Sequence, residues 1–66
     1  MNVTINGTAH ELPRGATVAL AVQRLTEARS GVAVAVNDEV VSRGAWDSTT
    51  LAEADRVEVL TAVQGG

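Results

Sequence analysis

Few residues in this chain have the types and spacing that chemistry needs. His10 is the single histidine, and there is no cysteine. One imidazole cannot build a metal site, and without a thiol there is no thiolate nucleophile and no Cys-based zinc or iron–sulfur centre. The eight acids are spread along the chain rather than clustered. Gly7, Gly15 and Gly31 match no nucleotide-loop spacing and read as turn and cap residues. What remains is Val63-Gln64-Gly65-Gly66, which closes the sequence on two residues without side chains. An α-carboxyl group has a pKa of about 3.5, so such an end carries a carboxylate at neutral pH. Two glycines let it thread a narrow channel, with no Cβ to clash and free choice of φ. The expectation is a folded domain over residues 1–61 and a flexible tail over residues 62–66 that delivers the Gly66 carboxylate to other enzymes.

The elements that hold such a tail follow from periodicity. Met1, Val3 and Ile5 alternate with polar residues, the period of a half-buried strand facing a core. Asn6-Gly7 is a hairpin signal, because both turn positions favour positive φ. Thr8 to Leu12 returns as a second strand, with His10 expected on its outer side, and Pro13-Arg14-Gly15 ends it. Thr17 stands at a helix N-cap, its hydroxyl available to an orphan amide. Val18, Ala21, Val22, Leu25 and Ala28 then recur at helical spacing, with Gln23, Arg24 and Glu27 on the other side. Gly31 is the expected left-handed residue after the helix. Val32 to Val36 is apolar on both faces and β-branched, a central strand. Asn37-Asp38 turns the chain into Glu39-Val40-Val41. Residues 43–50 read as irregular, with a helical turn around Ala45-Trp46 and Leu51 as an anchor. The last strand runs from Arg56 to Ala62, with Val57, Val59 and Thr61 on one side and Glu58, Leu60 and Ala62 on the other.

Composition excludes several function classes. Sixty-six residues make one domain with a modest core. The formal net charge is −3, from five Arg, no Lys and eight acids, so there is no basic patch for nucleic acid. The N-terminus lacks a signal-peptide layout, and no apolar run approaches the ~20 residues of a membrane span. A cytoplasmic location, with no nucleic-acid or membrane partner, is the expectation. The order β-β-α-β-β-β gives an α+β domain, one main helix on a mixed sheet of four or five strands. A β-β-α-β opening with one helix in the concavity of the sheet is what a ubiquitin-like β-grasp requires.

At this point the chain resembles the ThiS family of sulfur carriers of thiamin biosynthesis, over essentially its whole length. The resemblance lies in Asn6-Gly7, in Gly15-Ala16-Thr17-Val18, in Val34-Ala35-Val36-Asn37-Asp38-Glu39-Val40-Val41, and in Arg43 and Trp46. It continues through Asp55-Arg56-Val57-Glu58-Val59-Leu60 and the tail Ala62 to Gly66. Ser42, Ala54 and Gln64 depart from the family's frequent Pro, Gly and Ala at those places.

The resemblance implies a cycle in which the chain is a co-substrate rather than an enzyme. A ThiF-like adenylating enzyme would use ATP to adenylate the Gly66 carboxylate. Sulfur from a persulfide donor would then displace the adenylate and leave a thiocarboxylate, and a ThiG-like thiazole synthase would take that sulfur into the thiazole of thiamin. No cofactor or metal is expected on the chain itself. Gly65, Gln64 and Val63 would thread into the partner. Partners are expected to grip the sheet face away from the helix, where Ala33, Ala35, Leu60 and Ala62 fall. Arg43 is either a solvated charge or a salt bridge to the activating enzyme. Trp46 covers the end of the core or meets a partner, and Asp55 and Glu58 are solvated acids or face a basic partner. Competing functions are a carrier for molybdopterin or another sulfur pathway, a ubiquitin-like modifier joined to lysines, and an inert interaction module.

Overall fold

Asn6 and Gly7 both take positive φ, 51° and 82°. That pair turns β1 (Asn2–Ile5) back into β2 (Thr8–Glu11), with Ile5 across from Thr8 and Asn2 across from Glu11. The computed structural model describes residues 1–26 and 31–61. A second turn of the same kind sits at Asn37 and Asp38, with φ of 50° and 71°. It joins β3 (Val32–Val36) to β4 (Glu39–Val41). Asn and Asp are among the few side-chain-bearing residues that visit this left-handed region readily.

One helix, α1 (Val18–Leu25), follows β2. Its apolar spacing buries Val18, Ala21 and Val22 and leaves Gln23 and Arg24 exposed. A single turn of 3-10 helix at Arg43–Ala45 follows β4, and the chain ends its described course in β5 (Arg56–Thr61). The strand order is β2-β1-β5-β3-β4, so the last strand lies in the middle of the sheet. It runs parallel to β1 and antiparallel to β3. A parallel pair needs a long connection. The helix and both hairpin strands β3 and β4 supply it.

The core is one layer of side chains between sheet and helix. Val3, Ile5, Val34, Val57 and Val59 come from the sheet, Val18, Ala21 and Val22 from α1, and Leu12, Leu51 and Trp46 close the ends. Each fully buried Val, Leu or Ile contributes about 1.5–3 kcal/mol of transfer free energy. No buried polar side-chain atom among the described residues lacks a partner.

Three local expectations are corrected. Thr17 is the N-cap residue of α1, but its side chain makes no capping bond. The first amides of the helix go instead to the crossing loop: Val18 donates to the Thr49 carbonyl at 3.0 Å and Ala19 to the Trp46 carbonyl at 3.2 Å. Thr17 also bridges to Thr50, and Leu51 donates to the Ala16 carbonyl at 2.9 Å. The loop thus stands where a capping hydroxyl was expected, because backbone carbonyls reach the orphan amides first. The helix also ends early. Thr26 leaves it in an extended conformation while its N–H still closes on Val22 at 2.9 Å, so Gly31, with φ of 70°, belongs to the approach to β3. Leu25, in that last turn, is exposed. Ala28 and Glu27 lie outside the described residues. Finally, His10 lies across from Val3, on the helix side of the sheet, and is half-buried rather than outward. The two-residue hairpin fixes that register, and one residue of slip would reverse the face.

Candidate functional site

β5 begins under two side-chain clamps. The Asn37 amide accepts the Arg56 N–H at 2.9 Å and donates to Asp55 at 2.9 Å, while its own N–H donates to the Arg56 carbonyl at 2.8 Å. Asp55 also accepts the Ala52 N–H at 2.7 Å. Asp55 is therefore a structural acid that pins the turn into β5. Ala54 in that turn holds φ at 71°, and its N–H donates to the Asn2 carbonyl at 2.7 Å. Further along, the Asn6 side chain accepts the Val59 N–H at 2.8 Å and donates to the Val59 carbonyl at 3.1 Å. Apart from the local Asp55–Ala52 bond, these contacts join residues 18 or more apart in sequence, so no local pattern announces them. The signal available was two hairpin Asn residues whose side chains had no turn partner of their own.

With β5 fixed, alternation decides what each face presents. Val57 and Val59 point into the core, and Glu58 and Leu60 point away from the helix. Ala33 stands directly across from Leu60, and Ala35 across from Glu58. Ala35 in turn faces Val40 on β4. Leu60 is 73% exposed and Val40 78% exposed, so both spend apolar surface on solvent. The outer face therefore carries Ala33, Ala35, Leu60 and Val40 side by side, with Glu58 beside Ala35. Val40 was missing from the sequence-based set because a three-residue edge strand gives too little alternation to assign a face. Ala62, Val63, Gln64, Gly65 and Gly66 lie outside the described residues.

Arg43 is apart from this patch. Its guanidinium lies 5.1 Å over the Trp46 ring, a cation–π arrangement. The Trp46 indole N–H donates to the Val41 carbonyl at 3.1 Å, and the ring is buried at the end of the core. Trp46 thus covers the core end, and its own carbonyl caps α1. Arg56 pairs with Asp38 at 3.0 Å on the surface. The hydrogen bond and charge of Arg56 hold the Asp38 carboxyl below its ordinary pKa, and Asp38 pushes Arg56 higher. Both are exposed, so the pair adds little to stability.

Among the described residues no group of three or more His, Cys, Asp or Glu side chains could hold a metal ion. No helix among them is long and apolar enough to cross a membrane. What the domain offers is a central strand paired with β1 on one side and β3 on the other, beside an open apolar sheet face and leading in sequence into Ala62 to Gly66.

A mixed five-stranded sheet in this order, with a single helix on one face, defines a ubiquitin-like β-grasp domain. The sequence pattern of the ThiS family matches residues 3–66, and the chain belongs to that family. A crystal structure of the thiamine biosynthesis protein ThiS from Geobacter metallireducens superposes with a TM-score of 0.78 at 35% identity, covering all of both chains. A solution structure of a thiamine biosynthesis protein from the same organism gives 0.77 at 35% identity, covering all of this chain and 88% of that one. The sulfur carrier protein ThiS of Escherichia coli is 26% identical over the full length of both chains. A protein named thiazole synthase in Magnetococcus marinus is 36% identical over this whole chain, which spans only 20% of that protein.

Proposed function

We propose that this chain is a sulfur carrier of thiamin biosynthesis. The observation that carries the reading is the full-length match to the carrier from Escherichia coli on a domain whose central strand leads into the glycine tail. Gly66 is the reacting residue, and its carboxylate receives the sulfur. A carboxylate is a poor electrophile, so it is first adenylated with ATP by a ThiF-like enzyme. Attack by a persulfide sulfur on the acyl carbon then forms the C–S bond and expels AMP. A second thiol, acting as the two-electron reductant, then cleaves the S–S bond of this acyl disulfide; it forms a disulfide with the donor's remaining sulfur and leaves a thiocarboxylate on Gly66.

The chain's own residues supply reach and grip. Five extended residues, Ala62 to Gly66, span roughly 17 Å, enough to enter a buried site while the domain stays outside. Fixing a residue's backbone on docking costs about 1–2 kcal/mol. The outer face of Ala33, Ala35, Leu60 and Val40 offsets that cost by docking on the partner. Arg43 stacked on Trp46 sits at the far end of β4 as a second, charged contact.

Thiazole synthase is the acceptor of the sulfur. Support comes from the Magnetococcus marinus protein of that name, one fifth of which is similar to this chain. The chain acts as a co-substrate in both encounters and binds no cofactor of its own. The test is single-turnover transfer: carrier loaded with labelled sulfur, mixed with thiazole synthase and its small-molecule substrates, passes the label to thiazole. Label retained on the carrier sinks this assignment of the acceptor.

A further inference from the structure

We propose that Asn6 is a positioning residue for the carrier's reaction, holding the second half of β5 in line so that the tail leaves from a fixed strand. The inference rests on the carrier reading and adds a residue to it. The parallel register of β1 and β5 stops at Ile5 across from Val57. Beyond that point β1 turns away through Asn6-Gly7, and its last backbone bond to β5 runs from the Asn6 N–H to the Val57 carbonyl at 2.9 Å. The Asn6 side chain then takes the place of the missing strand residue. Its Oδ1 accepts the Val59 N–H and its Nδ2 donates to the Val59 carbonyl, at 2.8 and 3.1 Å.

The turn itself does not ask for this amide. Asn6 sits at a φ of 51°, which glycine adopts at no cost. Nothing lies within 4 Å of a Cβ built on the neighbouring Gly7, so the hairpin tip is not crowded. What needs an amide is Val59, two residues before β5 ends at Thr61. Without it, the end of β5 keeps only β3 as a backbone neighbour. The partner must then order that segment when it docks.

Asn6→Gly isolates the effect, because it keeps the turn and removes the clamp. With the ThiF-like activating enzyme, ATP–pyrophosphate exchange should show KM for the carrier raised about tenfold with kcat unchanged. Tenfold corresponds to ~1.4 kcal/mol, the scale of ordering one residue's backbone. The assay is run where Trp46 fluorescence shows the variant fully folded, so a loss of global stability alone leaves KM unmoved. Amide exchange at Val59 should quicken in the same variant. Asn6→Asp keeps the acceptor for the Val59 N–H and loses the donor, so its KM should fall between the two, and it carries the test if Asn6→Gly does not fold. A folded variant with wild-type KM overturns the inference and leaves the carrier reading standing. A wild-type chain that the enzyme does not activate overturns both.

Discussion

Leu60 stands across from Ala33 on the sheet face turned away from α1, and it is 73% exposed. A large apolar side chain held out on a central strand contributes nothing to the core, whereas its neighbours Val57 and Val59 are buried. Leu60→Thr keeps a good strand former at the position and should change stability by no more than about 0.5 kcal/mol. Removing the apolar contact should raise the carrier's KM with the activating enzyme by roughly 10- to 100-fold, from the ~1.5–3 kcal/mol that burying a leucine yields. Steady-state kinetics and thermal melts on the same preparation check both halves. An unchanged KM would remove Leu60 from the docking surface.

Ala54 carries the cost of a turn that glycine would enter freely. Its φ of 71° is held by its bond to Asn2 and by Asp55 beside it. A left-handed conformation costs an L-residue roughly 1–2 kcal/mol, and the extra freedom of glycine in the unfolded chain returns part of that. Ala54→Gly should therefore stabilise the domain by about 0.5–1 kcal/mol, a rise of several degrees in Tm for a domain of this size. A melt that shows a lower Tm would mean that the turn is not strained.

The Arg56–Asp38 pair gives a pH signature. The Asp38 carboxyl is held below its ordinary value of 3.8, first by the hydrogen bond from Arg56 and then by its charge. A depressed folded-state pKa stabilises above the unfolded value, and that contribution disappears as pH falls through the folded value. Asp38→Asn keeps a residue suited to the positive φ and removes the charge. Wild type should melt slightly higher than the variant at neutral pH, and the two should converge in acid. Both groups are exposed, so added salt should erase the difference as well. A gap that persists in acid would assign the effect to the turn rather than the charge.

Trp46 ties three parts of the chain together: its ring closes the core, its indole N–H holds Val41, and its carbonyl caps α1. Trp46→Ala should cost about 3–5 kcal/mol, which leaves a domain this small largely unfolded. Arg43→Ala removes only the stacked cation and should cost no more than about 1 kcal/mol. Circular dichroism melts separate the two. If Arg43→Ala is as damaging as Trp46→Ala, the stacking is more than a surface contact.

Local signals in the sequence reached most of the fold. Asn6-Gly7 announced the first hairpin, and Val18, Ala21 and Val22 announced the helix face. The alternation of Val57 and Val59 with Glu58 and Leu60 placed the outer apolar face correctly. What stayed hidden depends on groups far apart in the chain. The carbonyls of Trp46 and Thr49 displaced the Thr17 hydroxyl as helix caps, and the amides of Asn6 and Asn37 turned out to serve β5. His10 was misplaced because a polar residue on a short edge strand gives no sign of the side it faces. Backbone and amide partners carry no periodicity, so only three-dimensional pairing reveals them.

In the proposed cycle the Gly66 carboxylate is the group that takes up and carries the sulfur. Intact mass spectrometry of the chain co-expressed with its activating enzyme and sulfur donor tests it most directly. The expected species is heavier than the unmodified chain by one exchange of oxygen for sulfur, and the change is absent when Gly66 is deleted from a domain whose Trp46 fluorescence stays native. An unmodified wild-type mass, or a sulfur adduct that survives deletion of Gly66, would contradict it.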